Sequence, residues 1–276
     1  MKACIFSYMF KGYPLRKAFE VSRKCGFDGI EIWGGRPHAY PYDMNAEKIR
    51  EILALSREFQ LEIPVYSPEV LNYPYNLCSF LPKERQETMA YLKRGIEITA
   101  ELGARSMLCP FDHAGYGRDM REVRSILTDE ICELGRYAEQ NGVHLMLEAV
   151  TLKESNVVYR LEDILQLLDA AGTPAVTSMI DLAPLAQNEE PLEDYMMALG
   201  DKLDHVHFVD ADRLGMHHYN IGEAGLPMER MLKVLEKHRY DRYLCVELIW
   251  PYIKDPELYA YDTAIRLKKL FASAGM

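Results

Sequence analysis

The chain of 276 residues predicts an α/β fold, a single (β/α)8 TIM barrel running over residues 1–276 as one domain. Three observations carry this. Short apolar runs alternate with amphipathic segments from one end to the other, eight of each, which is the signature of a parallel sheet whose strands return through helices. No low-complexity linker or shift in composition divides the chain, and a barrel of about 250 residues is a standard solution at this length. The first apolar run is followed by KGYPL (11–15) rather than a glycine-rich phosphate loop, so an open doubly wound sheet is the weaker alternative.

The elements read in order as follows. ACIFSYMF (3–10) is the first strand candidate, and PLRKAFEVSRKCGF (14–27) repeats its apolar residues at helical spacing. GIEIWGG (29–35) precedes AEKIREILALSREFQ (46–60), and EIPVYSPE (62–69) precedes ERQETMAYLKRGIEITAELG (84–103). SMLCP (106–110) is followed by MREVRSILTDEICELGRYAEQNG (120–142), and HLMLEAV (144–150) by RLEDILQLLDAAG (160–172). VTSMIDLAP (176–184) leads to PLEDYMMALGDKL (191–203), DHVHFVDAD (204–212) to PMERMLKVLEKHRY (227–240), and RYLCVELIW (242–250) to PELYAYDTAIRLKKLFASA (256–274). Gly26, Gly103, Gly142 and Gly172 stand where four of the helices stop, as helix-terminating glycines do.

Composition narrows the function. Lys and Arg total 32 against 42 Asp and Glu, a formal charge of −10, and no basic run breaks the acidic balance. Such a chain offers no electrostatic footprint for a phosphate backbone, which argues against nucleic acid as a partner. Six cysteines lie scattered without a C-x-x-C pair and read as inert thiols in a reducing cytoplasm. The N-terminal apolar stretch is too short for a signal segment and no run reaches membrane-spanning length, so the expected setting is cytoplasmic, away from membranes.

The chemistry concentrates in the last four strands. Glu148 in HLMLEAV, Asp181 in VTSMIDLAP, His207 in DHVHFVDAD and Glu247 in RYLCVELIW each place one acid or imidazole in an apolar run. A lone polar group buried in such a run is costly, and four in succession near strand ends suggest that they converge. A barrel carries its active site at that end. Three carboxylates and an imidazole suit one divalent ion, with the oxygen majority favouring the harder ions.

Beyond these four residues, the segments EIWGGRPHA (31–39), YSPEVLNYPYN (66–76), HAGY (113–116), LEAVTLKESNVV (147–158), MIDLAP (179–184) and GDKLDHVHFVDAD (200–212) carry a family resemblance over nearly the whole length. The chain resembles the xylose-isomerase-like barrel superfamily of sugar isomerases and epimerases, most nearly the ketose 3-epimerases and among them those of fructoselysine type. The resemblance implies one divalent ion per subunit, with Mn²⁺ favoured over Co²⁺, Mg²⁺, Ni²⁺ or Zn²⁺, held by Glu148, Asp181, His207 and Glu247. It implies that Glu148 and Glu247 work as a pair of acid/base groups on the two faces of a planar enediolate, inverting C3 of a ketosamine or ketose. It also implies a small sugar substrate and a homo-oligomeric assembly, a dimer or larger.

The resemblance further implies substrate contacts from Glu154, six residues after Glu148, and from Arg213, six after His207, where tagatose and allulose 3-epimerases carry a substrate-binding arginine. Trp33 and His38 after the second strand, Glu69 after the third and His113 after the fourth are further candidates for the pocket mouth. His217 and His218 precede NIGEAG, where relatives often carry a histidine before a Pro-Gly-x-Gly turn. Pro184 stands where the tagatose and allulose 3-epimerases place a substrate-binding histidine. That departure favours the ketosamine reading over free ketohexoses. A dehydratase or aldolase on the same ion stays open, whereas a multi-zinc nuclease would need more well-placed histidines than this chain has. A sugar-binding barrel without activity is the non-enzyme alternative, and it would more naturally have lost a ligand.

Overall fold

The computed structural model describes residues 1–213 and 218–275; His217 lies outside the described residues. Eight parallel strands pair in sequence order and close on themselves: β1 (Lys2–Phe6), β2 (Gly29–Gly34), β3 (Val65–Pro68), β4 (Ser106–Cys109), β5 (His144–Leu147), β6 (Val176–Asp181), β7 (Leu203–His207) and β8 (Tyr243–Val246), with β8 returning to β1. The expected (β/α)8 barrel is therefore the fold. The helices around it are α1 (Leu15–Cys25), α2 (Ala46–Phe59), α3 (Pro82–Glu101), α4 (Met120–Gln140), α5 (Leu161–Ala171), α6 (Leu182–Gln187), α7 (Leu192–Leu199), α8 (Met228–Lys237) and α9 (Pro256–Ala274). None of the described helices is long and apolar enough to cross a membrane.

The strands are buried on both faces, which is why their sequences run nearly continuously apolar. Outward residues such as Ile5, Ile30, Ile32, Val206 and Leu244 meet the apolar faces of the helices. Inward residues form two smaller clusters, Cys4, Phe6, Trp33, Tyr243 and Cys245 on one side and Val65, Leu108, Met146 and Met179 on the other. Helix α1 ends at Gly26 (φ 81°) and α5 at Gly172 (φ 64°), both in the left-handed region where a side chain would be strained. All six cysteines are free, and five of them are buried.

The strands are shorter than the apolar runs at their C-terminal ends. The run at 3–10 leaves the sheet at Phe6, and Ser7–Phe10 turns into a 3-10 helix. The runs at 144–150, 176–184, 204–212 and 242–250 stop pairing at Leu147, Asp181, His207 and Val246. Residues beyond those ends, such as Val150, Phe208, Val209 and Leu248, remain buried at the barrel mouth, so burial rather than strand pairing makes them apolar. Helix α6 leaves no separate mark in the sequence, because its first residues extend the sixth apolar run directly into a helix.

The opposite end of the barrel is held by Asp204. Its side chain is fully buried and contacts His144, Arg242, Arg105 (3.3 Å), Ser106 Oγ (3.0 Å) and Thr177 Oγ1 (2.9 Å). Removing it strands several partners at once. Asp204→Ala is expected to destabilise the fold by about 3 kcal/mol in equilibrium denaturation, and a loss under about 1 kcal/mol would contradict this role.

Candidate metal and catalytic site

The four chemistry-bearing strand ends lie side by side because β5 to β8 are consecutive in the barrel. A register shift between Ser178 and Met179 sets Asp181 directly across from His207. His207 pairs in turn with Cys245, and Glu247 stands two residues further along, on the same face of β8. Glu148 follows the last residue of β5, its amide bonded to the Cys109 carbonyl (3.3 Å). Asp181 ends β6 and caps α6. Its Oδ1 accepts from the Ala183 amide (2.9 Å), which leaves Oδ2 to face the other groups.

Glu148, Asp181 and His207 bring ligand atoms within 4.8 Å of one another, and so do Asp181, Glu247 and His218. The two groups share Asp181 and are joined by His207 Nδ1, which lies 2.7 Å from Glu247 Oε2. That contact is a close ion pair, and the buried Nδ1 is left without a hydrogen-bond partner. His218 reaches in from the segment after β7, its Nε2 2.7 Å from Asp181 Oδ2 and 3.3 Å from Glu247 Oε2.

The charges of this cluster do not balance unaided. Burial pushes the Glu148 carboxyl well above its ordinary value; His207 pulls it down, while Asp181, Glu247 and Glu154 push it up further. Burial also opposes ionisation of Glu247, but His207 and His218 hold it well below the ordinary carboxylate range. Such a pocket either takes up protons or takes up a cation. An unpaired imidazole nitrogen aimed at converging carboxylates is the donor set of a divalent-ion site, and these residues fit one.

A cavity of about 400 Å³ opens beside the cluster, with Glu148, Glu247 and His218 on its wall; a chamber of about 80 Å³ adjoins it over Asp181 and Pro184. The first volume is within the range of small-molecule sites. A larger cavity of about 640 Å³ lies at the other end of the barrel, around Arg105, Asp204 and Arg242, where strands begin and stability rather than chemistry is usually housed.

The expected substrate contacts divide. Glu154 lines both chambers, its Oε2 fixed by the amide (3.0 Å) and hydroxyl (2.7 Å) of Thr151. Trp33 and Glu69 line the larger one and are bonded together, Nε1 to Oε2 at 2.8 Å, with Tyr8 edge-on to the indole. His38 does not reach the cavity. The loop after β2 folds inward and buries it, with Nε2 between the carbonyls of Phe10 (3.1 Å) and Tyr13 (3.0 Å). His113 turns to its own loop, where Nδ1 accepts from the Gly115 amide (2.9 Å) and the ring packs on Tyr116. Arg213 is largely exposed and lies 3.3 Å from Glu189, away from the cavity wall. A side chain on a loop finds the nearest partner, and for these three that partner is not the cavity.

Two further groups, His218 and Glu31, belong to the site. His218 joins the carboxylate cluster directly, although a loop position gives no register to reveal it. Glu31, the lone acid of GIEIW, is fully buried beneath His207. The signal that singles out Glu148 and Glu247, one acid in an apolar run, applies to it equally.

With this geometry in hand, the comparisons with known proteins are specific. Residues 19–270 match the family described as xylose isomerase-like TIM barrel. Fructoselysine 3-epimerase of Shigella flexneri is 36% identical over 270 residues, covering 98% of each chain. D-psicose 3-epimerase of Enterocloster bolteae is 24% identical over 252 residues, covering 85% of this chain and 77% of that protein. Among solved structures, D-psicose 3-epimerase from Clostridium cellulolyticum H10, determined with D-tagatose, superposes with a TM-score of 0.82 at 16% identity over 99% of both chains.

Proposed function

The chain belongs to the xylose isomerase-like TIM barrel family, and we propose that it is a metal-dependent 3-epimerase of a ketosamine, interconverting fructoselysine and its C3 epimer, psicoselysine. The observation that carries the chemistry is the convergence of Glu148, Asp181 and Glu247 on the wall of the smaller chamber, with the buried His207 behind them, 2.7 Å from Glu247. These four residues would hold the ion, with Mn²⁺ the favoured occupant. A bound divalent cation supplies Lewis acidity toward the oxygens at C2 and C3, which lowers the cost of charge developing on them.

The remaining work falls to this chain's own groups. The C3 proton is acidified by the neighbouring carbonyl, and its removal gives a planar enediolate that can be reprotonated from either face. Glu148 and Glu247 come from strands three apart in the ring and both line the two chambers, so they address a sugar in the cavity from different sides. One takes the proton, the other returns one to the opposite face, and the roles exchange in the reverse direction. Glu154, braced by Thr151, is the group for the C1–C2 end of the substrate.

The ketosamine reading is supported by the charge of the wall. Glu69 and Glu154 stand beyond the four ligands, and among the described residues no lysine or arginine lines either chamber. A sugar phosphate would meet no counter-charge there. A ketosamine instead carries a protonated amine on C1, which two carboxylates favour. Glu154→Gln is expected to raise KM for fructoselysine about tenfold relative to fructose, about 1.4 kcal/mol of binding. Equal effects on both substrates in steady-state kinetics would favour the second reading, a free-ketohexose 3-epimerase, which the psicose-acting relatives support. Incubation of both substrates with protein and Mn²⁺, followed by NMR for a new C3 epimer, tests the activity itself. The family resemblance also supports a homo-oligomer, and the six free cysteines support a reducing, cytoplasmic setting.

A further inference from the structure

We propose that Glu31 is the positioning residue of the metal centre, fixing the tautomer and orientation of His207 so that Nδ1 presents its lone pair to the ion. The inference rests on the metal-site reading above and concerns a residue outside the ligand set. Glu31 lies on β2, across the barrel from β7, and is 0% exposed. Its Oε2 receives two imidazole nitrogens, Nε2 of His207 at 3.1 Å and Nε2 of His205 at 2.9 Å, and its Oε1 accepts from Ser67 Oγ at 2.5 Å.

An ionised carboxylate only accepts hydrogen bonds, so both imidazoles must present Nε2–H to it. A neutral His207 ring protonated at Nε2 carries its lone pair on Nδ1. That atom is the one that is buried, lacks a hydrogen bond and lies 2.7 Å from Glu247 Oε2. The opposite tautomer would aim a proton at the ion and a lone pair at a carboxylate, unfavourable at both ends. His205, two residues before His207 and on the same face of β7, braces Glu31. Phe6 stacks on the His207 ring at 6.0 Å between centroids and limits its rotation. A carboxylate–histidine–metal chain of this kind raises ligand basicity, and breaking one typically costs 10–100-fold in metal affinity.

Glu31, His205, His207 and Cys245 also bring ligand atoms within 4.8 Å of one another, so a second ion in the barrel interior is the competing account. Both imidazole contacts to Glu31 Oε2 meet the distance and angle of an N–H···O bond, whereas the shorter contact of His207 Nδ1 with Glu247 does not, which favours protons rather than an ion between Glu31 and the two rings.

The test uses Mn²⁺ alone, titrated into the chelator-stripped full chain, with wild type compared with Glu31→Gln and Glu31→Asp. Wild type should bind one ion per chain, Glu31→Gln should bind 10–100-fold more weakly while keeping its circular dichroism, and Glu31→Asp should recover part of the loss. A residue that only supports packing would lower the melting temperature without moving the affinity of the folded protein. Nitrogen-15 NMR of histidine-labelled wild type with Mg²⁺ reads the tautomer without any variant, and His207 should be protonated at Nε2. Affinity within twofold of wild type in Glu31→Gln, or a His207 protonated at Nδ1, would overturn the proposal and leave the metal site standing. Two ions in wild type and one in Glu31→Gln would overturn it in favour of Glu31 as a ligand. Absence of any bound ion in wild type would remove both readings together.

Discussion

Glu148→Gln and Glu247→Gln are each expected to reduce epimerisation at C3 by about 10²–10⁴-fold, the usual contribution of a positioned acid or base. Glutamine keeps the shape and one carbonyl oxygen but neither takes nor carries the proton, so the loss should appear in kcat. Because both residues would also hold the ion, each variant must be loaded with Mn²⁺ and its metal content measured beside its rate. The pair should differ in which half of the reaction fails. An epimerase that reprotonates from the opposite face needs both groups for inversion, yet one remaining base can still exchange the proton on its own side. A variant that exchanges C3 with solvent but forms little epimer would identify its missing glutamate as the one serving the product face. Near-normal epimerisation by either metal-loaded variant would refute the pairing.

Removal of the divalent ion is the second large effect. The carboxylates of Glu148, Asp181 and Glu247 crowd one buried pocket, and without a cation burial drives Glu148 toward its neutral form. Chelation is therefore expected to take turnover to background and Mn²⁺ to restore it. The same ion should stabilise the fold, since a ligand present at 100 times its Kd adds about 2.7 kcal/mol. For a chain of this size that corresponds to a rise in Tm of about 5–10 °C, readable by calorimetry with and without Mn²⁺. Undiminished turnover after exhaustive chelation, with no shift in Tm on adding Mn²⁺, would contradict a metal-dependent site.

Much of this architecture is legible in the sequence because two-sided burial leaves a strong mark. Each strand of the barrel is an apolar run, and each flanking helix has its own stripe, so the order of elements can be read directly. Strand ends are harder to read. Phe208, Val209 and Leu248 stay apolar after pairing has stopped, since the barrel mouth buries them as fully as the sheet does. Glu148, Asp181, His207 and Glu247 stand out because an acid or imidazole in such a run needs a reason, and the consecutive order of β5 to β8 brings them together. Glu31 carries the same mark but belongs to β2, so only closure of the barrel reveals that it faces β7.

Loop residues are a different matter. His38, His113 and Arg213 sit at the right distances from strand ends, yet hydrogen bonds to Phe10, Tyr13 and Gly115 and a contact with Glu189 take them elsewhere. His218 arrives at Asp181 from a loop whose path no periodicity specifies. Side chains on regular elements inherit direction from the backbone repeat, whereas those on loops take theirs from partners that sequence spacing does not encode.

The most direct test of the central claim is proton NMR of fructoselysine incubated with the Mn²⁺-loaded protein in D₂O, followed after removal of the ion. The account predicts deuterium at C3 together with a new set of signals for the C3 epimer, and no label at C1. Label at C1 with an aldose product, or unchanged substrate in the presence of bound metal, would contradict it.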